Sequence, residues 1–388
     1  MSNKNSKLLY IISILLWFSL YCYVAEFSIY ALNIGATMSQ LGAIVSCYGL
    51  IQTLSRIPIG IISDILKKRK IFISLSLLLS IVANLLVLII PNVITLFMFK
   101  LICGLAASCW VLYTITYVSY HEKTHSKMAI GHINGANSIG QIVGMLAGGI
   151  LMLIVDDIKT VFILSAISAI IGYILSLKLT EVHFVSKHVS ISDFIELLKD
   201  KNLLVCSFLA IFTQIVMYGI TFTYGPLLVE SYGLDGLMRS VYIAFGILPT
   251  ALFAKAFCSK GIERLGIVKL LISGYLMMII MIIMIISIKS IYVLYVAHIF
   301  MGFGYTMTFP VLMALSGTNI DETKQATAMG IFQAIYGMGI IIGPFLIGII
   351  IDNYNIYVGL NSLVFSTALA IIIVLINKKL LNSNNSNS

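Results

Sequence analysis

The chain has 388 residues, 60% of them apolar and only 10% charged, with 24 Lys+Arg against 15 Asp+Glu. Roughly a quarter of the residues in an ordinary soluble domain are charged, so this composition excludes one and points to a chain that crosses a bilayer many times. The basic excess is then a matter of orientation in the membrane, and nucleic acid is not an expected partner.

A membrane-crossing helix needs about 20 mainly apolar residues. Apolar runs of that length fall at 8–32, 39–62, 71–90, 93–119, 128–155 and 160–179, and again at 203–229, 237–257, 267–288, 290–316, 327–351 and 356–376. The expected fold class is an all-α membrane protein with twelve transmembrane helices. The first run is too long for a signal-peptide core and is expected to stay as the first span. Residues 1–179 and 203–376 form two halves joined by a polar linker, 180–202, within which 192–201 reads as a short helix on the inner membrane surface. The Asn/Ser-rich end, 377–388, is expected to be disordered. All six cysteines lie in or at the ends of apolar runs, without metal-site or paired spacing, and read as small buried hydrophobes.

Most cations collect on one side of this arrangement, in the loops holding Lys67, Lys68, Arg69 and Lys70, Lys123 and Lys127, and Lys260, Arg264 and Lys269. Lys159, Arg239 and Lys289 fall on the other side, and Arg56 and Lys100 fall within spans. The asymmetry places both termini in the cytoplasm. Isoleucine- and asparagine-rich usage fits an AT-rich microbial genome, so the expected location is a bacterial cell membrane, with the protein multi-pass and monomeric.

The chain repeats itself. With an offset of 199 positions, Asp64 aligns with Glu263, and Ala129, Gly131, Gly140, Ile142, Gly144, Gly149 and Ile150 align with Ala328, Gly330, Gly339, Ile341, Gly343, Gly348 and Ile349. Two separated motifs in one register imply two six-helix halves of the same orientation.

The segment Arg56-Ile-Pro58-Ile-Gly60-Ile-Ile-Ser-Asp64, followed by Lys68-Arg69, resembles the signature between spans two and three of the major facilitator superfamily, Gly-three-residues-Asp-Arg-x-Gly-Arg-Arg. The resemblance covers 8–376. Ile65 and Lys67 depart from the pattern, whereas the second copy keeps Arg264 and Gly266 but has Ser259 for the first glycine. The resemblance implies the major facilitator fold, two pseudo-symmetric six-helix halves. It also implies a gating role for Gly60, Asp64, Arg69 and Arg56, and for Glu263 and Arg264 in the second copy. Gly60 would admit a close neighbour, and Asp64 would neutralise a helix N-terminus. A basic loop that only sets topology is the alternative. In span five, Gly135, eight residues, then Gly144-Met145-Leu146-Ala147-Gly148-Gly149 resembles the antiporter motif of drug-exporting members. Gly140 joins this face, and Gly343-Pro344 stands at the matching place in span eleven. A generic glycine packing face is the competing reading.

In the family fold, spans one, four, seven and ten line a central cavity. Span one carries Ser19, Tyr23, Glu26, Tyr30 and Asn33 at helical spacing, and Glu26 is the acid that falls inside an expected span. Lys100, on span four, occupies the place of the family's arginine in Arg-three-residues-Gly. Both lie roughly 10 Å below the outer surface and are placed to pair. Glu26 is therefore expected either to be a protonatable coupling or cation-recognition site, with a pKa set by Lys100 and cargo, or to form a static ion pair that fixes packing. His298 on span ten stands opposite Lys100 in the repeat, either as a proton carrier or as a packing residue. Tyr305 follows it, Gln214 and Tyr218 lie on span seven, Gln141 lies deep in span five, and Trp17 forms an aromatic wall or a lipid contact.

Nothing resembles a nucleotide-binding loop, a metal cluster or a catalytic triad, so an enzyme is not expected. The expected function is proton-coupled export of a small amphiphilic or cationic compound by alternating access, with the proton gradient and no bound cofactor as driving force. The alternative is an importer or facilitator of a sugar, nucleoside or other small metabolite. A flux-free membrane sensor is the third reading. The expected partners are a small-molecule substrate and the lipid bilayer.

Overall fold

Within a bilayer every backbone N–H and C=O must find its partner inside the protein, so long apolar runs become helices. The computed structural model describes residues 2–121, 126–181, 191–318, 320–321 and 324–383, and among them no strand occurs. Twelve helices are long and apolar enough to cross a membrane. Spans one to six are Lys4–Asn33, Met38–Ser63, Lys70–Ile89, Val93–Ser119, His132–Val155 and Ile158–Ser176. Spans seven to twelve are Lys201–Glu230, Gly236–Ala256, Ile267–Ser287, Ile291–Ser316, Thr327–Asn353 and Ile356–Ile376. Side-chain caps set several starts: Asn92 accepts from the Thr95 N–H, Asp157 from Lys159, Asp200 from Leu203 and Asn355 from Val358.

Packing divides the chain into two compact units. The first comprises the described residues of 1–36, 47–187 and 233–241, and the second those of 37–46, 188–232 and 242–388. Spans two and eight are therefore shared: the opening turns of each lie in one unit and the remainder in the other.

In the first unit, span one is broken at Cys22 and Tyr23 into helices Ser2–Tyr21 and Val24–Asn33. Span five lies along it through glycines four residues apart. A Cβ at Gly140 would stand 2.5 Å from the Ile14 carbonyl oxygen, one at Gly144 would stand 2.7 Å from that of Phe18, and one at Gly148 would overlap that of Cys22. The second unit repeats the contact, with Gly339 against the Ile211 carbonyl and Gly343 against that of Ile215. Pro344 lies within the helix of span eleven, and its carbonyl accepts a hydrogen bond from Tyr224 Oη at 2.8 Å. Two glycines behave differently from the expectation of packing or close approach. Nothing described lies within 4 Å of a Cβ built at Gly135 or at Gly60.

The opening turn of span two is held in the second unit by Asp352, whose two carboxylate oxygens accept from the backbone N–H groups of Met38 (3.0 Å) and Ser39 (2.8 Å). Tyr224 Oη also donates to the Met38 carbonyl at 3.0 Å. In the same unit, the short helix of the linker runs Ile191–Leu197, and Glu196 pairs with Lys324 at 2.6 Å. The chain end departs from expectation. Lys378–Ser383 forms a helix in which Leu381 is fully buried, because Leu380-Leu381 supplies an apolar pair that the Asn/Ser composition conceals. The rest of that end, 384–388, lies outside the described residues.

The repeat also reaches backbone conformation. Gly266 has φ +74°, and Lys67, its counterpart at the offset of 199, has φ +53°. The family glycine thus serves a left-handed turn that lysine adopts only at a cost.

Two predictions follow from these contacts. Gly144→Leu should lower thermal stability in detergent by about 1–3 kcal/mol or prevent folding, because backbone blocks the new side chain, while Gly135→Ala should be neutral or slightly stabilising; equal loss in both would contradict the packing. Lys67→Gly should stabilise by up to about 1 kcal/mol, because the ~1–2 kcal/mol of left-handed strain relieved exceeds the ~0.5–1 kcal/mol entropic cost of glycine; a melting curve would register an increase, and a decrease would mean that the lysine turn is unstrained.

Candidate functional site

Glu26 sits in the first turn of the second helix of span one, Val24–Asn33, and is only 2% exposed. Its partner is Arg239, in the part of span eight that belongs to the same unit. Arg239 Nη2 reaches Glu26 Oε2 at 2.6 Å and its Nε reaches Oε1 at 3.1 Å, the two-pronged geometry in which a guanidinium matches a carboxylate. The remaining fork is not idle, since Nη1 donates to the Leu234 carbonyl at 2.8 Å.

Small residues make this approach possible. A Cβ at Gly236 would stand 2.6 Å from Glu26 Oε1 and 2.6 Å from Met152 Cβ, and one at Gly149 would stand 2.9 Å from the Gly236 carbonyl. Asp235 Oδ1 accepts from the Met238 N–H and so starts the helix that presents Arg239. The expected pairing of Glu26 with Lys100 is thereby corrected. Arg239 was counted among the outward cations and missed, although, like Lys159 and unlike Lys289, it stands on a span, four residues after a capping aspartate.

Lys100 instead lies among rings. Its Nζ is 3.9 Å from the ring centroid of Phe27, 4.9 Å from that of Tyr23 and 5.9 Å from that of Phe99, within cation–π range of all three. These rings continue into Phe162 through a stacked contact with Tyr23 at 5.5 Å. Tyr23 Oη donates to Cys103 Sγ at 3.5 Å. Trp17 is buried against Trp110, edge to face at 5.3 Å, and among the described residues its Nε1 has no hydrogen-bond partner. Gln141 Nε2 donates to Asn137 Oδ1 at 2.6 Å on its own helix.

In the second unit the structure joins Gln214 to Tyr305, with Nε2 donating to Oη at 3.3 Å, and leaves Tyr218 half-buried against Phe222. Gln214 precedes, and Tyr218 and Phe222 lie within, a stretch of span seven, Met217–Tyr224, wound as a π-helix. Wide turns of this kind recur at functional positions. His298 is fully buried, stacked on Tyr242 at 3.8 Å, and both ring nitrogens lack a partner among the described residues.

The basic loop belongs to the first unit and is anchored by a residue that sequence reasoning passed over. Glu181 Oε1 accepts from the backbone N–H of Arg69 at 2.7 Å and of Lys70 at 3.3 Å, capping span three, and Lys70 Nζ donates to the Leu177 carbonyl. Arg69 is buried and Arg56 half-buried, while Glu263 and Arg264 are exposed on the short helix Ile262–Leu265. The side chain of Asp64 lies outside the described residues.

Removing one partner from the buried pair should leave an uncompensated charge. Glu26→Gln or Arg239→Gln alone is expected to cost about 3–5 kcal/mol, with much of the loss recovered in the double variant. Thermal melts of the four proteins test this, and additive losses would contradict the pairing.

The family model described as Major Facilitator Superfamily matches residues 9–261 and 244–387. An uncharacterized MFS-type transporter of Methanocaldococcus jannaschii is 24% identical over 361 residues, covering 90% of this chain and 91% of the relative. A proton-coupled antiporter flippase, LtaA, of Staphylococcus haemolyticus is 23% identical over 389 residues, covering 96% and 93%. Among solved structures, a bacterial homolog of the human lysosomal transporter Spinster, inward-facing and unoccupied, superposes with a TM-score of 0.82 at 14% identity over 99% of this chain and 98% of that one. The nucleoside transporter NupG, as a mutant, superposes at 0.78 with 15% identity over 96% and 99%. With twelve spans, an internal repeat and a family match along nearly its whole length, the chain is a membrane transporter that belongs to the major facilitator superfamily.

Proposed function

We propose that this transporter is a proton-coupled antiporter that exports a small amphiphilic compound by alternating access, with Glu26 as the proton-binding group. The observation that carries the reading is the buried Glu26–Arg239 pair, because span eight begins beside Glu26 in one unit and continues from Tyr242 in the other. A proton on Glu26 removes the counter-charge of a buried guanidinium, and that loss is worth several kcal/mol. Arg239 then leaves for water and the outer turn of span eight is released. Deprotonation restores the pair. Each cycle thus ties one proton to one opening of the outer end. The coupling of the LtaA relative, a proton-coupled antiporter flippase, supports this reading. With Glu26 committed to Arg239, the site favours an amphiphile over a simple cation. In the same cycle Asp64 and Glu263 serve as inner latches.

Purified protein in liposomes tests the reading. An imposed pH gradient should be dissipated in the presence of cargo drawn from a panel of amphiphiles. Glu26→Gln should keep cargo exchange yet lose its dependence on pH, by at least tenfold across the working range. Transport by that variant with the pH dependence of the parent would remove Glu26 from coupling.

A further inference from the structure

Once Glu26 is assigned to Arg239, Lys100 is a buried cation to which no described residue supplies a counter-charge. Lys100 is 8% exposed, and its Nζ lies over the ring faces of Phe27, Tyr23 and Phe99. Among the described residues it forms no hydrogen bond and no ion pair. Ring faces attract an ammonium but carry no anionic oxygen, and the Tyr23 hydroxyl, which donates to Cys103, forms no hydrogen bond with Lys100. An ammonium with little access to water and no anion beside it is costly, and such groups inside a membrane mark the path of a ligand.

The geometry points to an anion site: the Lys100 ammonium receives the carboxylate or phosphate monoester of an amphiphilic cargo, whose apolar body lies against the rings of Tyr23, Phe27 and Phe99. This assignment names the substrate class for the export reading above and rests on it. The charge sum favours an acid. A cationic cargo would bring a second positive charge to a place where the acid is already bound to Arg239, and a neutral one would leave the ammonium unanswered. Depth favours a mobile ligand over a lipid phosphate. Lys100 stands seven residues into a span that begins at Val93, about 10 Å along the helix and below the headgroup level.

Binding at equilibrium, with no pH gradient, tests the assignment and leaves the proton-coupling question untouched. The full chain is placed in phosphatidylcholine nanodiscs, and its two tryptophans, Trp17 and Trp110, in contact on spans one and four, report binding by fluorescence. The probes are 4-phenylbutyrate, 4-phenylbutanol and 4-phenylbutylamine, which share one apolar body and differ in charge. The acid should bind at least tenfold more tightly than the alcohol or the amine. Lys100→Gln should reduce the acid to the level of the alcohol, and Lys100→Arg should restore the preference. Equal binding of the three, preference for the amine, or an acid preference that survives Lys100→Gln would overturn the assignment. If the acid's advantage disappears in discs containing phosphatidylglycerol, the anion site belongs to a lipid headgroup and the cargo assignment fails. Ligand-free Lys100→Gln should melt higher than the parent, since an unanswered charge has been removed. A lower melting temperature would mean that Lys100 has a structural partner and would count against the site. The ranking of the three probes on the parent protein decides the matter even if the variant does not fold.

Discussion

A carboxylate held at membrane depth must be answered by a cation, and in this chain the cation comes from the opening turn of the eighth span. Much of the first unit is arranged around that requirement. Gly236 and Gly149 thin the helices where they meet, Asp235 starts the helix that presents Arg239, and the Leu234 carbonyl occupies the third prong of the guanidinium. A pair this deeply buried contributes little net stability over an apolar substitute, but it is expensive to break by halves. That asymmetry suits the proposed two-state device, in which a single proton would decide whether the arginine has a partner.

The repeat gives the same structural task to two different chemistries. Span two's first turn is held in the second unit by Asp352, which caps backbone N–H groups, while span eight's first turn is held in the first unit by an acid–arginine pair. Glycines at the same offset, Gly149 and Gly348, lie at both places. The backbone plan is therefore conserved between the repeats, while the charged contacts have diverged. Lys67 and Gly266 tell the same story at the turns that follow spans two and eight, where one copy keeps glycine for a left-handed backbone and the other bends a lysine into it.

Composition, apolar run length and the offset of 199 were enough to read the twelve spans and the repeat, because the bilayer leaves the backbone few options. The glycine face of span five was legible for the same reason, spacing along one helix. What the sequence did not reveal is which charges meet across helices. Glu26 and Lys100 sit at equal depth, so depth alone suggested a pair, but rotation about the helix axes sends Lys100 into Phe27 and Tyr23 and brings Arg239 to Glu26. Glu181 and Asp352 were passed over because each caps the start of a helix distant in sequence. The helix Lys378–Ser383 was hidden by a composition that reads as a tail, yet one buried leucine is enough to fix its position.

The account stands or falls on Glu26 being ionised beside Arg239 and taking a proton during the cycle. Infrared difference spectroscopy of the membrane-embedded protein, with pH stepped across the working range, reads that event directly. The account predicts a protonated-carboxyl band that grows as pH falls, is absent in Glu26→Gln, and has a different pH dependence in Arg239→Gln, where the counter-charge is gone. A Glu26 carboxyl whose signal does not change across the pH range in which transport responds to pH, or whose titration is indifferent to Arg239, would contradict it.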